Sequence, residues 1–241
     1  MARMCIFCGG GPVTKEHVWS ERILQRFKTT SVVAERTGTT PLRYTSRTIK
    51  LTISVVCRTC NNGWMSAIEN AVMQVLIPMI GGEPTILDAE RQLVLARWTT
   101  LKAMVFEHAL SLPESEIYWS GGERSAFRNE PHVPPGEETV VRIAAYSGNR
   151  LAIGKAGATK MGTIAGENIG PPGTRATLAI GRAVLQIESH RWKDFTGRTG
   201  WWWPPKFGDR SEWIWPIQHS EVRWPTAAPL DDAALASFSH N

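Results

Sequence analysis

The feature that most constrains this chain is its set of four cysteines, which form two pairs with the spacing Cys-x2-Cys. The pairs are Cys5 with Cys8 and Cys57 with Cys60, and the 241 residues contain no other cysteine. Two intervening residues let one tight turn aim both sulfurs at a common point, and two such turns complete the tetrahedron that zinc prefers. Four thiolates leave no open coordination position, so the spacing predicts a structural zinc site rather than a catalytic one.

A disulfide framework is the alternative for four cysteines, and the expected cellular location argues against it. The N-terminus leads into polar, Gly-rich sequence without the apolar core of a secretory signal, so we expect a cytoplasmic location, where disulfides are disfavoured. Residues 1–64 offer few apolar side chains, and segments below about 70–80 residues commonly need a metal for stability. Four free cysteines that share this spacing by chance stay open as a second alternative.

The positive charge of the chain is concentrated around the cysteine pairs. Residues 1–64 hold ten basic and three acidic side chains, a net charge of +7, whereas the remainder carries −2. Such a segment is typical of a surface that binds nucleic-acid phosphates, although a solvated basic face explains the charge alone equally well. No run of 18 uncharged apolar residues exists, so we expect no membrane span.

Two short motifs accompany the cysteines. Glu16-His17-Val18 follows the first pair, and Asn61 comes directly after Cys60. In this order the segment resembles the HNH, or ββα-metal, nuclease family, in the branch that reads C-x-x-C … E-H-[IV] … C-x-x-C-N. The resemblance covers residues 3–68. It implies a zinc-bound, treble-clef-like module, in which a β-hairpin is followed by a helix that presents Asn61 on its first turn. That helix continues with an apolar stripe at helical spacing, which we expect to pack against the rest of the protein: Trp64, Ile68, Val72, Val75 and Met79.

The resemblance also implies a chemistry. An imidazole can accept a proton from an attacking water near neutral pH, so His17 is the expected general base. Glu16 and Asn61 would offer oxygen ligands to a catalytic Mg²⁺ or Mn²⁺. Lys15 and Arg58 are the candidates for contacts with phosphate, although a solvated position between Cys57 and Cys60 explains Arg58 equally well. The implied activity is the hydrolysis of phosphodiester bonds in nucleic acid, with DNA as the expected substrate and partner.

One departure from the family pattern bears on activity. The family's central Asn, five residues before the third cysteine in many members, is replaced here by Thr52, which can hydrogen-bond but reaches less far. In the family that Asn helps to orient the base histidine. Two alternatives to a nuclease therefore stay open. One is an inactive, zinc-stabilised module that binds nucleic acid, and the other is a protein-interaction module that the zinc only supports.

Residues 81–241 carry no motif that points to a function. The sequence Gly81-Gly82-Glu83-Pro84 predicts the end of the helix that follows Cys60. It also sets the boundary between the predicted domains, which are 1–80 and 81–241. Asp88 is expected to cap the next helix, which has an apolar stripe along one face: Val94, Trp98, Leu101, Val105 and Ala109. The stretches 139–145, 151–155 and 176–189 predict short antiparallel strands. The predicted class is α+β, with an N-terminal zinc-bound ββα-metal module followed by helices and an antiparallel, β-rich C-terminal domain.

Tryptophan is concentrated near the C-terminus. Seven of the eleven tryptophans lie between residues 192 and 224. Aromatic rings can stack on unpaired bases, at about 1–3 kcal/mol each, or fill a core or a partner interface. The stretch is nearly charge-balanced and Pro-rich, which favours packing. It also makes this domain the expected place for a protein partner.

Overall fold

The computed structural model describes residues 4–17, 20, 22–23, 32–37, 42–46, 52–109, 117–130, 139–148, 152–159, 173–190 and 210–240. The strands are β1 (Val13–His17), β2 (Val32–Thr37), β3 (Leu42–Ser46), β4 (Thr52–Cys57), β5 (Thr85–Asp88), β6 (Thr139–Ala145), β7 (Ala152–Thr159), β8 (Gly173–Ile180), β9 (Ala183–His190), β10 (Ser211–Trp215) and β11 (Glu221–Trp224). The main helices are α1 (Ser66–Gly81), α2 (Ala89–Ala109), α3 (Gly121–Asn129) and α4 (Asp232–His240). The class is α+β, as the sequence predicts.

The largest sheet has seven strands in the order β10-β6-β9-β8-β7-β2-β3. Neighbouring strands are antiparallel except β2 and β7, which are parallel. The sequence stretch 176–189, predicted to be one β-rich segment, is divided here between two strands of a hairpin. The division falls at Gly181, whose φ of +55° lies in the left-handed region that glycine enters without steric cost.

The segment between the two cysteine pairs contributes to this sheet. Strands β1 and β4 pair with each other as a separate two-stranded unit, whereas β2 and β3 continue the large sheet. In the parallel pair, Val33 lies opposite Ile153 and Thr37 lies opposite Gly157. One apolar core runs from the cysteine region into the large sheet. The division of the chain into 1–80 and 81–241 stays a prediction.

The helix α1 carries the apolar stripe that the sequence predicts. Ile68, Val72, Val75 and Met79 are all buried in the core that α1 shares with α2. Helix α1 ends at Gly82, whose φ of +87° closes it in the left-handed conformation. The stripe is thereby confirmed as a packing surface.

The predicted cap of the next helix is confirmed. The Asp88 carboxylate accepts a hydrogen bond from the Arg91 N–H at 2.9 Å, at the start of α2. None of the described helices has the length and apolar character needed to cross a bilayer.

The tryptophans within the described residues are packed. Trp224 is buried in the main core, and Trp213 and Trp215 are half-buried. Packing therefore describes these three rings better than base stacking does. Trp192 and residues 201–203 lie outside the described part of the chain.

Candidate metal centre and adjoining cleft

The four cysteine sulfurs lie together, all within 4.8 Å of one another. All four are free thiols, and the Sγ atoms of Cys8 and Cys57 are 3.6 Å apart. A tetrahedral zinc with Zn–S bonds of about 2.3 Å requires sulfurs about 3.8 Å apart. Both the donor chemistry and the spacing fit, so this group can hold one metal ion such as zinc.

A tight turn places the first two sulfurs. The Gly9 N–H donates to the carbonyl oxygen of Cys5 at 2.9 Å, and the Cys5 N–H donates to that of Gly10 at 2.7 Å. Gly9 has a φ of +67°, which a side chain would strain. The Gly10 N–H also points to Cys8 Sγ at 3.4 Å, a contact that favours a thiolate. The glycines that follow Cys8 therefore shape the site directly.

Burial and hydrogen bonding shift the pKa values of Cys5 and Cys60 in opposite directions. Burial disfavours the Cys5 thiolate, but hydrogen bonds from the backbone of Cys57, Phe7 and Cys8 outweigh it and lower the pKa of Cys5 to about 7. Burial, reinforced by the neighbouring sulfurs, raises the pKa of Cys60 to about 12. Cys5 and Cys60 therefore differ in how readily they ionise, and a bound divalent cation would favour the thiolate form of both.

Helix α3 packs against the turn that carries Cys5 and Cys8, the first zinc knuckle. The guanidinium of Arg124 donates from Nε to the Ile6 carbonyl oxygen at 2.8 Å. Nearby, Trp64 meets Phe7 and Phe127 edge-to-face, at ring-centroid distances of 5.0 and 5.8 Å. The knuckle is therefore fixed by contacts from both α3 and the turn that follows Cys60.

An open cleft of about 320 Å³ lies beside this group, between the end of β1 and the start of α1. Four residues that the sequence singles out line it, namely Lys15, Glu16, His17 and Asn61. The remaining lining residues are Ser20, Arg22, Asn62, Ser66, Glu69, Asn70 and Met73. Arg58, the other predicted phosphate contact, is exposed on the helical turn Arg58–Cys60 and is not part of this lining.

Strand pairing and a kinked helix bring these residues to one place. Strand β1 ends at His17, which pairs with Thr52 at the start of β4. After β4 the chain makes the helical turn and then a wider, π-helical turn over Asn61–Met65, with a kink at Gly63, before α1 begins. The sequence predicted Asn61 on the first turn of a helix, and the kink at Gly63 is the difference.

No protein-family model, curated protein or solved structure matches this chain.

The cleft has a basic rim. Lys15 is exposed at one side. Arg22, also exposed, donates from Nη1 to the Asn70 side-chain oxygen at 2.6 Å. The sequence offered no reason to choose Arg22 over the other basic residues of its segment, because its position depends on a contact with α1. Two cations at the mouth of a small cleft are suited to a phosphate ligand.

Behind two acidic residues of the cleft lining, Glu16 and Glu69, lies a buried lysine that the sequence did not single out. Lys102 of α2 is fully buried, and its Nζ lies 3.2 Å from Glu16 Oε1 and 2.5 Å from Glu69 Oε1. It also donates to the backbone oxygen of His17 at 3.3 Å. Burial disfavours the ammonium, but the carboxylates of Glu69 and Glu16 outweigh it and raise the pKa of Lys102 above its ordinary value. Glu16 is therefore held in an ion pair.

One signal for this pair was present in the sequence. Lys102 follows Trp98 by four residues, so both lie on the helix face that carries the predicted apolar stripe. In the structure the Trp98 Nε1–H donates to Glu69 Oε1 at 3.0 Å, the same oxygen that Lys102 contacts. A lysine on a core-facing stripe requires a buried partner. The identity of that partner depends on tertiary structure.

Proposed function

We propose that this protein is an endonuclease of the HNH, or ββα-metal, type, which hydrolyses phosphodiester bonds in nucleic acid, with DNA as the expected substrate. One observation carries the proposal: Lys15, Glu16, His17 and Asn61, selected by sequence motifs on either side of a long insertion, line the same open cleft. A base candidate, oxygen ligands and a cation in one cavity form the constellation that metal-assisted hydrolysis needs.

In this proposal the four cysteines hold a structural zinc ion. Cys57 ends β4 and Cys60 precedes Asn61 directly, while the first pair lies before β1. A metal ion shared by both pairs would therefore fix the start of β1 relative to the turn that carries Asn61. The zinc would support the geometry of the cleft and take no part in the reaction.

The residues of the cleft divide the chemical work. His17 would take the proton from the water that attacks phosphorus. Thr52, which pairs with His17 across the strands, would hydrogen-bond the imidazole or a water next to it. Lys15 and Arg22 would bind the phosphates on either side of the cleaved bond. Glu16 and Asn61 would hold Mg²⁺ or Mn²⁺, which when bound polarises the phosphate and stabilises charge on the leaving oxygen.

A second candidate is a zinc-stabilised module that binds nucleic acid without cutting it. The ion pair between Lys102 and Glu16 favours it, because the ammonium already neutralises the carboxylate that the nuclease proposal assigns to the divalent cation. Such a module would keep the basic rim of the cleft and its affinity for phosphate.

Cleavage and binding assays separate the two candidates. Zinc-loaded protein is incubated with plasmid and with single-stranded DNA, with Mn²⁺, with Mg²⁺ or with a chelator. The wild type and the control H219A, which changes an exposed histidine, are expected to cleave when Mn²⁺ or Mg²⁺ is present. H17A should be slower by about 10²- to 10⁴-fold.

The other outcomes are equally informative. Equal cleavage by H17A and the wild type would refute the assigned mechanism. Binding that weakens with salt, without metal-dependent cleavage, would select the second candidate. Absence of both binding and cleavage at low salt would contradict both candidates.

A further inference from the structure

We propose that Lys102 is a positioning residue of the cleft, which fixes the Glu16 carboxylate and the His17 backbone in place. This inference rests on the proposed function, because it explains how the two residues assigned to catalysis are held. It assigns no contact between Lys102 and the substrate.

The contacts of Lys102 are concentrated on the residues assigned to catalysis. Of its three acceptors among the described residues, Glu16 Oε1 at 3.2 Å and the His17 oxygen at 3.3 Å belong to consecutive residues of β1. His17 is the last residue of β1 as described, and it pairs with Thr52 of β4. A hydrogen bond from α2 to its carbonyl oxygen therefore restrains the backbone that carries the imidazole.

Glu69 supplies the counter-charge that makes this arrangement stable. It lies 2.5 Å from Lys102 Nζ, and Trp98 donates to the same carboxylate oxygen. A buried ammonium needs a partner with good geometry, and Glu69 of α1 supplies it, with its carboxylate fixed by the hydrogen bond from Trp98 of α2. The position of Lys102 is thus determined independently of Glu16, which is what allows it to position Glu16.

The charges of this cluster support a positioning role over simple neutralisation. Two carboxylates share one ammonium, so the cluster keeps a net charge of −1 and remains attractive to a cation. The same net charge would result from Glu16 alone, without Glu69 and Lys102. A variant that removes both the Glu69 carboxylate and the Lys102 ammonium therefore leaves the net charge beside the cleft unchanged. It removes the contacts by which Lys102 restrains Glu16 and His17.

Two variants isolate the restraint. E69Q keeps Lys102 and its contacts with Glu16 and His17 but changes the net charge of the cluster from −1 to 0, whereas K102M/E69Q also removes the ammonium and has the wild-type net charge of −1. Both are loaded with zinc, and their thermal unfolding, kcat and KM for DNA are measured with Mn²⁺. We expect E69Q, which keeps the ammonium beside Glu16 and His17 but loses its charged partner on α1, to lose less than about tenfold in kcat. The double variant should lose about ten- to a hundredfold in kcat with little change in KM, as expected when a catalytic group is misplaced.

A second readout does not depend on turnover. Mn²⁺ broadens the NMR signals of nuclei near its site, so the backbone amide signals of Glu16, His17 and Asn61 are followed as Mn²⁺ is added. In the wild type and E69Q we expect all three to broaden. In the double variant Asn61 should still broaden, whereas Glu16 and His17 should broaden less. A lysine that only stabilised the core would leave the pattern unchanged.

The possible outcomes are distinguishable. Equal kcat and equal broadening in E69Q and K102M/E69Q would overturn the role of Lys102 and leave the nuclease proposal intact. Absence of metal-dependent cleavage by the wild type would overturn both. If the methionine variant does not fold, K102Q/E69Q replaces it, since the glutamine side chain is uncharged and shorter than lysine and cannot bridge Glu16 and the His17 oxygen as the ammonium does. A kcat below that of E69Q would then support the proposal, and an equal kcat would contradict it.

Discussion

Thr52 lies directly opposite His17 in the antiparallel pair formed by β1 and β4. Residues opposed in this way have their Cβ atoms about 4.5–5.5 Å apart, a gap that a side-chain hydrogen bond can span. By its spacing to the third cysteine, Thr52 also occupies the position that resembles the orienting Asn of the HNH family. The strand pairing and the motif therefore point to the same residue as the partner of the proposed base.

Replacing this threonine tests whether the imidazole is well oriented. T52N gives position 52 the longer amide, so we expect kcat with Mn²⁺ to rise about three- to tenfold, a small part of what a positioned base contributes. S54N is the matched control, because Ser54 lies on the same strand opposite Lys15. A T52N protein that folds normally but cleaves no faster than the wild type would contradict an orienting role for position 52.

Removing one sulfur tests the metal centre. We expect one zinc ion per chain by elemental analysis, and its loss in C8S, because three thiolates and a hydroxyl hold zinc weakly. Structural zinc has an apparent binding energy of about 10–16 kcal/mol, so C8S should lower the free energy of unfolding by at least about 3 kcal/mol. Chemical denaturation with and without chelator measures this effect. T59S, an exposed change between the second pair of cysteines, is the control.

The metal prediction has a clear contrary result. Purified wild-type protein without bound metal, and with the same stability as C8S, would show that the four sulfurs meet without holding an ion.

A buried carboxyl in α2 gives the protein a pH-dependent stability. Burial raises the pKa of Glu107 from 4.5 to about 7, although the Thr174 hydroxyl and the Trp119 N–H donate to it. The folded state therefore binds this proton more tightly than the unfolded state. Its contribution to stability is fully present below about pH 4.5 and is lost as the pH rises through 7.

Replacing this carboxyl should remove that dependence. E107Q stays neutral, so at pH 8.5 we expect it to unfold at a higher temperature than the wild type. Its free energy of unfolding should be higher by about 2–3 kcal/mol. Near pH 4.5 the two proteins should have similar stability. Thermal unfolding between these pH values, with the exposed change E90Q as control, measures the difference. A difference that stays constant with pH would rule out the proton uptake proposed for Glu107.

Local signals predicted much of the site. The Cys-x2-Cys spacing brings the sulfurs of each pair together by turn geometry, and the apolar stripe of α1 follows from helical periodicity. The carboxylate of Asp88 caps α2 by a rule that needs only neighbouring residues. These features depend on interactions within a few positions along the chain, which is why they can be read from the sequence.

The features that escaped prediction depend on distant partners. Lys102 of helix α2 contacts Glu16 of strand β1, and Arg22 lines the cleft through its contact with Asn70 of α1. The parallel pairing of β2 with β7 joins segments that are far apart in the chain. No local pattern distinguishes such pairs from the many others that the same residue types allow.

The insertion of β2 and β3 between the cysteine pairs also limits how this protein can be divided. Strand β2 pairs with β7, which lies far beyond both cysteine pairs in the sequence. A fragment that stopped after α1 would leave the β7-facing edge of β2 bare, and bare edges recruit strands from other molecules. The cysteine-bearing part is therefore not an independent module. If it were fused to another protein, β2 would lack β7, the strand with which it pairs.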